Sequence, residues 1–218
     1  MLNLALPDGN LERNTLRLLE AAGFRVEFMG RKYTGRIQDP CFAHVALMRP
    51  QIMPGLIGGG NYDIGICGSD WVEESITKAR VIARFNYNSR QFGNGWRIVL
   101  VAGGTDVVSK GGEIPDEAEI LSEYRWITED YFNKIHKFVD VKESLGKTEA
   151  HIPHDFRFGV CVSVTGETLR ANNLKIVEVL RNANPLLIAS PQAMQDKKKN
   201  AMLESVAVAL TEALASLR

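Results

Sequence analysis

The chain opens on an apolar run, Leu2 to Leu6, and then dense turn chemistry at Pro7-Asp8-Gly9-Asn10. Leu11, Thr15, Leu18, Leu19 and Ala22 follow at helical spacing, and Gly23 stands where a helix stops. Val26 to Met29 restarts an extended run, so the opening reads as a βαβ unit and predicts a parallel sheet. His44 to Met48 reads as a strand, and Pro54 to Ile57 as a short helix ended by Gly58-Gly59-Gly60. Asp63 to Gly68 reads as a buried strand, and Ser69-Asp70 as N-cap chemistry for a helix through Trp71, Val72 and Ile76. The polar stretch Asn86 to Gly95 reads as a hinge. After it come a strand over Trp96 to Ala102, a polar loop over Gly103 to Asp116, a helix over Glu119 to Ile135 and a strand over Phe138 to Val141. Phe156, Phe158, Val160, Val162 and Val164 alternate strictly, which predicts a strand with one buried face. Ile176 to Leu180 and Leu186 to Ala189 are further strands. The tail from Gln195 is a helix with Met202, Val206, Leu210 and Leu214 on its stripe. The pattern predicts an α/β protein of two lobes, 1–90 plus 185–218 and 91–184, the second inserted into the first.

Composition narrows the classes. The 218 residues carry 26 basic and 26 acidic side chains, so no global charge draws the chain to nucleic acid or to an anionic membrane. Apolar residues at 45% and charged residues at 24% suit a folded protein rather than a disordered one. No run approaches the ~18 apolar residues of a membrane span, and Met1 to Pro7 lacks the basic lead-in of a signal peptide. Cys41, Cys67 and Cys161 are odd in number and far apart, which argues against a disulfide framework and for a cytoplasmic setting.

Several segments offer chemistry. Val164-Thr165-Gly166-Glu167-Thr168-Leu169 leaves a strand through a glycine turn flanked by hydroxyls. It is either an anion site or a capped strand-to-helix turn. Gly68, Ser69 and Asp70 lie at the carboxyl end of a predicted parallel strand, where α/β folds place ligands; Asp70 has capping as its other reading. Pro7, Asp8, Gly9 and Asn10 hold the equivalent place after the first strand. His151, His154 and Cys161 lack an apparent fourth ligand, so no metal ligands are assigned. Lys197-Lys198-Lys199 reads as a solvated face.

Taken together, these segments resemble the ATP phosphoribosyltransferase family. Gly146-Lys147-Thr148-Glu149-Ala150 is similar to its GATEA. Thr165-Gly166-Glu167-Thr168-Leu169-Arg170-Ala171-Asn172-Asn173-Leu174 is similar to its TG-x-[TS]-LRANNL, at the family spacing. Arg49-Pro50-Gln51 with Pro54, then Tyr62 to Gly68 with Asp70 to Glu74, resembles its RPQ-x-IP and DLGITG-x-DWVEE segments. Leu4-Ala5-Leu6-Pro7 with Gly9 and Leu11 resembles its LALPKGRL opening, and Glu123-Tyr124 with Tyr131-Phe132 resembles its E-Y/L…RYF helix.

The resemblance implies a two-lobed, periplasmic-binding-protein-like (type II) fold. It also implies a glycosyltransferase that joins N1 of ATP to C1 of phosphoribosyl pyrophosphate and releases pyrophosphate, the first step of histidine biosynthesis, with Mg²⁺ required. Phosphoribosyl pyrophosphate would then meet Thr148, Glu149, Ser163, Val164, Thr165, Gly166, Glu167, Thr168 and Leu169, in the second lobe. The nucleotide would meet Pro7, Asp8, Gly9, Asn10, Arg49, Gly68, Ser69, Asp70, Glu123 and Tyr124. No catalytic residue is singled out. The resemblance further implies a homo-oligomer and, because the chain stops at Arg218 where the family's catalytic core ends, a histidyl-tRNA-synthetase-like regulatory subunit in place of a built-in feedback domain.

The departures are specific. Asp8 stands where the family has Lys, and Asn10 where it has Arg or His. Arg157 and Cys161 stand at the two acidic positions before the TG turn, Ile52 at the acid after RPQ, and Arg125 at the proline after E-Y. An acid for a lysine beside a polyphosphate weakens binding on the scale of a charge-assisted hydrogen bond, and Arg157 is a candidate to compensate by meeting the pyrophosphate. The alternatives are a paralogue with another base or nucleotide as acceptor, and a non-catalytic nucleotide-binding or regulatory subunit.

Overall fold

A computed structural model describes residues 1–28, 30 and 33–217; Met29, counted above in an extended run, and Arg218 lie outside them. The chain divides into two compact units. Unit 1 is Met1–Gly95 with Asn184–Arg218, and unit 2 is Trp96–Ala183.

In unit 1, the apolar opening forms β1 (Leu2–Pro7), with Leu2, Leu4, Ala5 and Leu6 all buried. A strand buried on both faces belongs in the middle of a sheet. β1 pairs in parallel with β4 (Phe42–Met48) and β5 (Ile64–Gly68). The sheet continues outward through β3 (Thr34–Ile37) and β2 (Val26–Phe28) on one side. On the other side come β12 (Pro185–Ala189) and β6 (Arg80–Arg84), in the order β2-β3-β4-β1-β5-β12-β6 among the described residues. The sheet is therefore mixed. The expected βαβ opening does not close on itself: β2 lies at an edge, antiparallel to β3, because its three residues are too exposed for a central place.

Helix α1 (Glu12–Ala21) buries Leu18 and Leu19, as its spacing predicts, but also Asn14 and Thr15. These two polar side chains dock the segment expected to be a hinge. Thr15 and the buried Tyr87 share a hydroxyl hydrogen bond of 2.8 Å, and Asn14 Nδ2 donates to Asn88 O at 2.7 Å. Asn88 Nδ2 donates in turn to Gly95 O at 2.9 Å. Residues 86–95 are thus tied to α1 by buried hydrogen bonds, which are costly to leave unmade.

Helix α2 is Met53–Gly58 and α3 is Ser69–Glu74. Gly65 lets β5 lie close against β1 and α2: a Cβ there would stand 2.9 Å from Ala5 O and 2.6 Å from Ile57 Cδ1. After β12 come α6 (Pro191–Gln195) and α7 (Lys197–Ser216). The stripe that α7 buries is Leu203, Val206, Leu210, Ala213 and Leu214, with Leu203 in place of the expected Met202. The Asp196 carboxylate caps α7, accepting from the backbone N–H of Lys198 and Lys199, a contribution of about 1 kcal/mol. The lysine run is not all solvated. Lys199 Nζ reaches Asp63 Oδ1 at 2.7 Å, while Asp63 Oδ2 accepts from Asn3 N.

In unit 2 the described strands run β11-β7-β10-β8-β9, with β7 (Trp96–Gly103), β8 (Glu119–Ser122), β9 (Asp140–Glu143), β10 (Phe158–Ser163) and β11 (Leu174–Ala183). β8 is parallel to both β9 and β10; β7 is antiparallel to β10 and β11. The helix expected over Glu119 to Ile135 is a strand, a two-residue corner and then α4 (Arg125–Lys134). Ile120 and Leu121 are both buried, which a strand flanked by two others requires. The strand expected over Phe138 to Val141 begins two residues later, and Phe138 is exposed. β10 does not show one buried face. Phe158 to Cys161 are all buried, then Val162 is exposed and Ser163 buried, because β10 is central and covered on both sides.

Candidate functional site

The parallel pairings set two edges at which several strands end together. In unit 2, β8, β9 and β10 deliver Glu123-Tyr124, Ser144 to Thr148 and Val164 to Gly166 to one edge. Gly166 has φ +74°, the left-handed conformation that L side chains rarely adopt. It opens α5 (Glu167–Ala171), a helix of only five residues. The turn is stiffened from below. Arg170 Nη1 donates to Thr165 O at 3.2 Å, Glu167 N donates to Thr165 Oγ1 at 3.4 Å, and Asn172 Nδ2 donates to Thr168 O at 2.8 Å. Leu169 is buried in the core with Val99, Val101, Ile152, Cys161 and Leu174, so it anchors the turn. Val164 is half-buried and Thr165, Glu167 and Thr168 are exposed. The Ser163 hydroxyl, at the last position of β10, is buried and has no hydrogen-bond partner among the described residues. A buried polar atom without a partner is uncommon and points to a group that binds there.

Thr148 is fully buried beside this turn's strand. Its hydroxyl donates to Ser144 Oγ at 2.8 Å and lies 3.3 Å from Glu123 Oε1. Burial drives the Cys161 thiol up to about 12, and the charges of Glu149 and Glu123 push it the same way. Cys161 therefore stays a neutral thiol with two carboxylates around it. Glu123 lies in unit 2 with Thr148, Glu149 and Cys161. Tyr124 is buried in the same unit, where its backbone N–H meets Ser122 Oγ at 2.9 Å and its carbonyl accepts from Thr128.

Arg157 does not fit the compensating role expected of it. It precedes β10, at the end opposite the turn, about 20 Å away at ~3.3 Å per strand residue. Its guanidinium grips Asp106 with both arms, Nε to Oδ2 at 2.7 Å and Nη2 to Oδ1 at 3.1 Å, and lies over the Phe158 ring. This fork holds the Asp106 carboxyl below its usual range.

In unit 1, the carboxyl ends of β4, β1 and β5 bring Arg49, Pro7 to Asn10 and Gly68 to Asp70 to one edge. Asp8 lies 3.4 Å from Arg49 Nε through Oδ2, while its Oδ1 is buried and unpartnered among the described residues. Gly9 has φ +75° and starts a short 3₁₀ turn that includes Asn10, which is exposed. Asp8 and Gly9 face a hollow of about 470 Å³ whose other walls include Glu12, Phe28, Tyr33 and Leu47. Ser69 does not cap α3. Gly68 holds that place, and the Ser69 hydroxyl accepts instead from Asn184 N at 3.2 Å. Asp70 is buried, and its charge, after burial itself, helps drive the Cys67 thiol upward.

Sequence reasoning missed Ser144, Asn184 and Arg97. Ser144 and Asn184 sit in segments without pattern; Arg97 was read only as part of an apolar strand. Among the described residues, no group of three His, Cys, Asp or Glu side chains is placed to hold a metal ion, and no helix is long and apolar enough to cross a membrane. His151 pairs instead with Asp155, Nδ1 to Oδ2 at 2.8 Å.

The family model described as ATP phosphoribosyltransferase matches residues 49–212. The chain is 33% identical over 220 residues to the ATP phosphoribosyltransferase of Trichlorobacter lovleyi, covering 98% of this chain and 73% of that one. It is 34% identical over 221 residues to that of Geotalea uraniireducens, covering 99% and 74%. Among solved structures, the ATP phosphoribosyl transferase (HisG:HisZ) complex from Thermotoga maritima superposes with a TM-score of 0.80 at 24% identity, over 99% of this chain and 100% of that one. The periplasmic aliphatic sulphonate binding protein of Escherichia coli shares the fold at TM-score 0.61 and 8% identity, over 98% and 72%.

Proposed function

The chain belongs to the ATP phosphoribosyltransferase family, and we propose that the Val164–Gly166 turn of unit 2 holds the 5′-phosphate of phosphoribosyl pyrophosphate while the strand-end edge of unit 1 receives ATP. The activity is that of the family, transfer of phosphoribosyl to ATP at the start of histidine biosynthesis. N1 of ATP forms a bond to C1 of the ribose as the bond from C1 to the pyrophosphate oxygen breaks, and pyrophosphate leaves with the bonding pair. Neither another acceptor nor a non-catalytic role is favoured by the family match.

The observation that carries the placement is the left-handed Gly166 turn beside a buried Ser163 hydroxyl that lacks a partner. A small ligand oxygen can approach the backbone there, and Ser163 can donate to it. The ribosyl group is oxocarbenium-like as it transfers, so negative charge nearby lowers the barrier. Glu123 and Glu149, which act together on Cys161, are the candidates to supply it and to orient the ribose hydroxyls. The same two carboxylates, which no group of three His, Cys, Asp or Glu includes among the described residues, would suit an Mg²⁺ that arrives on the diphosphate and keeps most of its waters. Bound there, the ion would neutralise the departing pyrophosphate. A homo-oligomer and a histidyl-tRNA-synthetase-like regulatory partner complete this reading. The Thermotoga maritima neighbour, itself described as a HisG:HisZ complex, supports the partner.

The test is pyrophosphate release from ATP and phosphoribosyl pyrophosphate with Mg²⁺, for the chain alone and with such a partner. Release that disappears in Glu149→Gln is the expected result. No release in either setting overturns the reading.

A further inference from the structure

The face of the unit 2 sheet that carries α5 changes character along its length. On β7, Val101 and Val99 point into the apolar core that Leu169 of α5 completes. Two residues on along the same face stands Arg97. On β10 the matching series ends Cys161, Ser163, and Ser163 is the register partner of Arg97. Directly opposed residues of an antiparallel pair project their side chains to the same side. On the other flank Arg97 is opposed by Asn182 of β11. The row Ser163, Arg97, Asn182 is therefore a polar end to an otherwise apolar face, at the edge where the Val164–Gly166 turn emerges.

Two members of that row, Ser163 and Arg97, lack partners among the described residues. Ser163 Oγ is buried without a hydrogen bond, and the Arg97 guanidinium makes no hydrogen bond or ion pair with any described residue. The other arginine of the turn, Arg170, already donates to Thr165 O. A half-buried arginine beside a buried, unmatched hydroxyl is the chemistry of an anion contact, because the guanidinium fork fits the oxygens of a phosphate.

We propose that Arg97, acting with Ser163, is a phosphate-binding residue that grips the 5′-phosphate from the sheet side while the turn grips it through backbone. This rests on the placement of that phosphate at the turn given above. It also supplies from unit 2 a positive charge at the ligand edge.

Calorimetric binding of phosphoribosyl pyrophosphate with Mg²⁺, and separately of ribose 5-phosphate, tests this in the wild type, Arg97→Gln, Arg97→Lys and Ser163→Ala, with ATP binding as the control. Arg97→Gln is expected to weaken both sugar phosphates by about ten-fold or more. Arg97→Lys restores part of that affinity, Ser163→Ala costs two- to ten-fold, and ATP binding stays unchanged. Undiminished binding of both sugar phosphates in Arg97→Gln overturns the proposal. So does a loss confined to phosphoribosyl pyrophosphate, since that places the cation at the diphosphate. Should Arg97→Gln fail to fold, Ser163→Ala decides, and full affinity in that variant counts against the pair. A wild type that binds neither sugar phosphate removes instead the placement at the turn.

Discussion

At the strand-end edge of unit 2, the backbone turns left-handed at Gly166, and neither the buried Ser163 hydroxyl nor the Arg97 guanidinium has a hydrogen-bond partner among the described residues. At the strand-end edge of unit 1, Asp8 stands 3.4 Å from Arg49, and the hollow that Asp8 lines carries Glu12 as a second carboxylate. Both edges arise in the same way, from parallel neighbours that end together. One keeps its donors open for an anion; the other meets its principal cation with its own acid. The difference teaches that a shared architecture fixes where a ligand approaches, while a few side chains decide how strongly its charge is received.

The largest expected effect breaks the unit 2 side. Gly166→Val places a branched side chain in a left-handed position, at a cost of ~1–2 kcal/mol for the backbone alone. Its Cβ would stand 3.2 Å from Arg170 Nη1. kcat/KM for phosphoribosyl pyrophosphate is expected to fall about a hundred-fold or more, as misplacement of a bound substrate does, while calorimetric ATP binding is retained. Equal losses for both substrates would mean that the turn does not belong to one edge alone.

A smaller effect tests the buried, neutral Cys161 thiol. Cys161 titrates near 12 in the folded chain against an ordinary 9.0. The stability this confers is full below about 9 and is lost as pH rises from there toward 12, since the unfolded thiol ionises first. From pH 7 to 9.5 the wild type is expected to lose about 0.8 kcal/mol more than Cys161→Ser, read from urea unfolding at each pH. Parallel curves would show that the thiol is not held neutral by its surroundings.

The smallest effect sharpens the unit 1 side. Asp8→Asn releases Arg49, which is itself exposed, so its pair with Asp8 is worth under about 1 kcal/mol. The KM for ATP is expected to fall two- to five-fold with no change in that for phosphoribosyl pyrophosphate. A rise in the KM for ATP would instead assign Asp8 a direct contact with the nucleotide.

Much of this was legible in the order of residues. The runs at Leu2 to Leu6 and Asp63 to Gly68 are strands, and the long tail is a helix. The Thr165-Gly166 turn leaves a strand and opens a helix as its composition indicates. Glu119 to Ser122 was misread because four residues of strand precede a true helix without a break in apolar spacing. β3 and β6 escaped notice because they are only four and five residues long and carry exposed polar positions, Thr34 and Arg36 in one, Arg80 and Arg84 in the other.

The α/β class can be read from the order of residues alone. So can the family, because period, turn residues and ordered motifs are local properties of the chain. The three-dimensional packing alone shows that Asp8 meets Arg49, that Cys161 feels the charges of Glu123 and Glu149, that Arg157 grips Asp106 far from the turn, and that Arg97 stands opposite Ser163. Each of these pairs residues a dozen or more positions apart, and strand order and register bring them together. A one-residue slip in that register would turn every side chain to the other face.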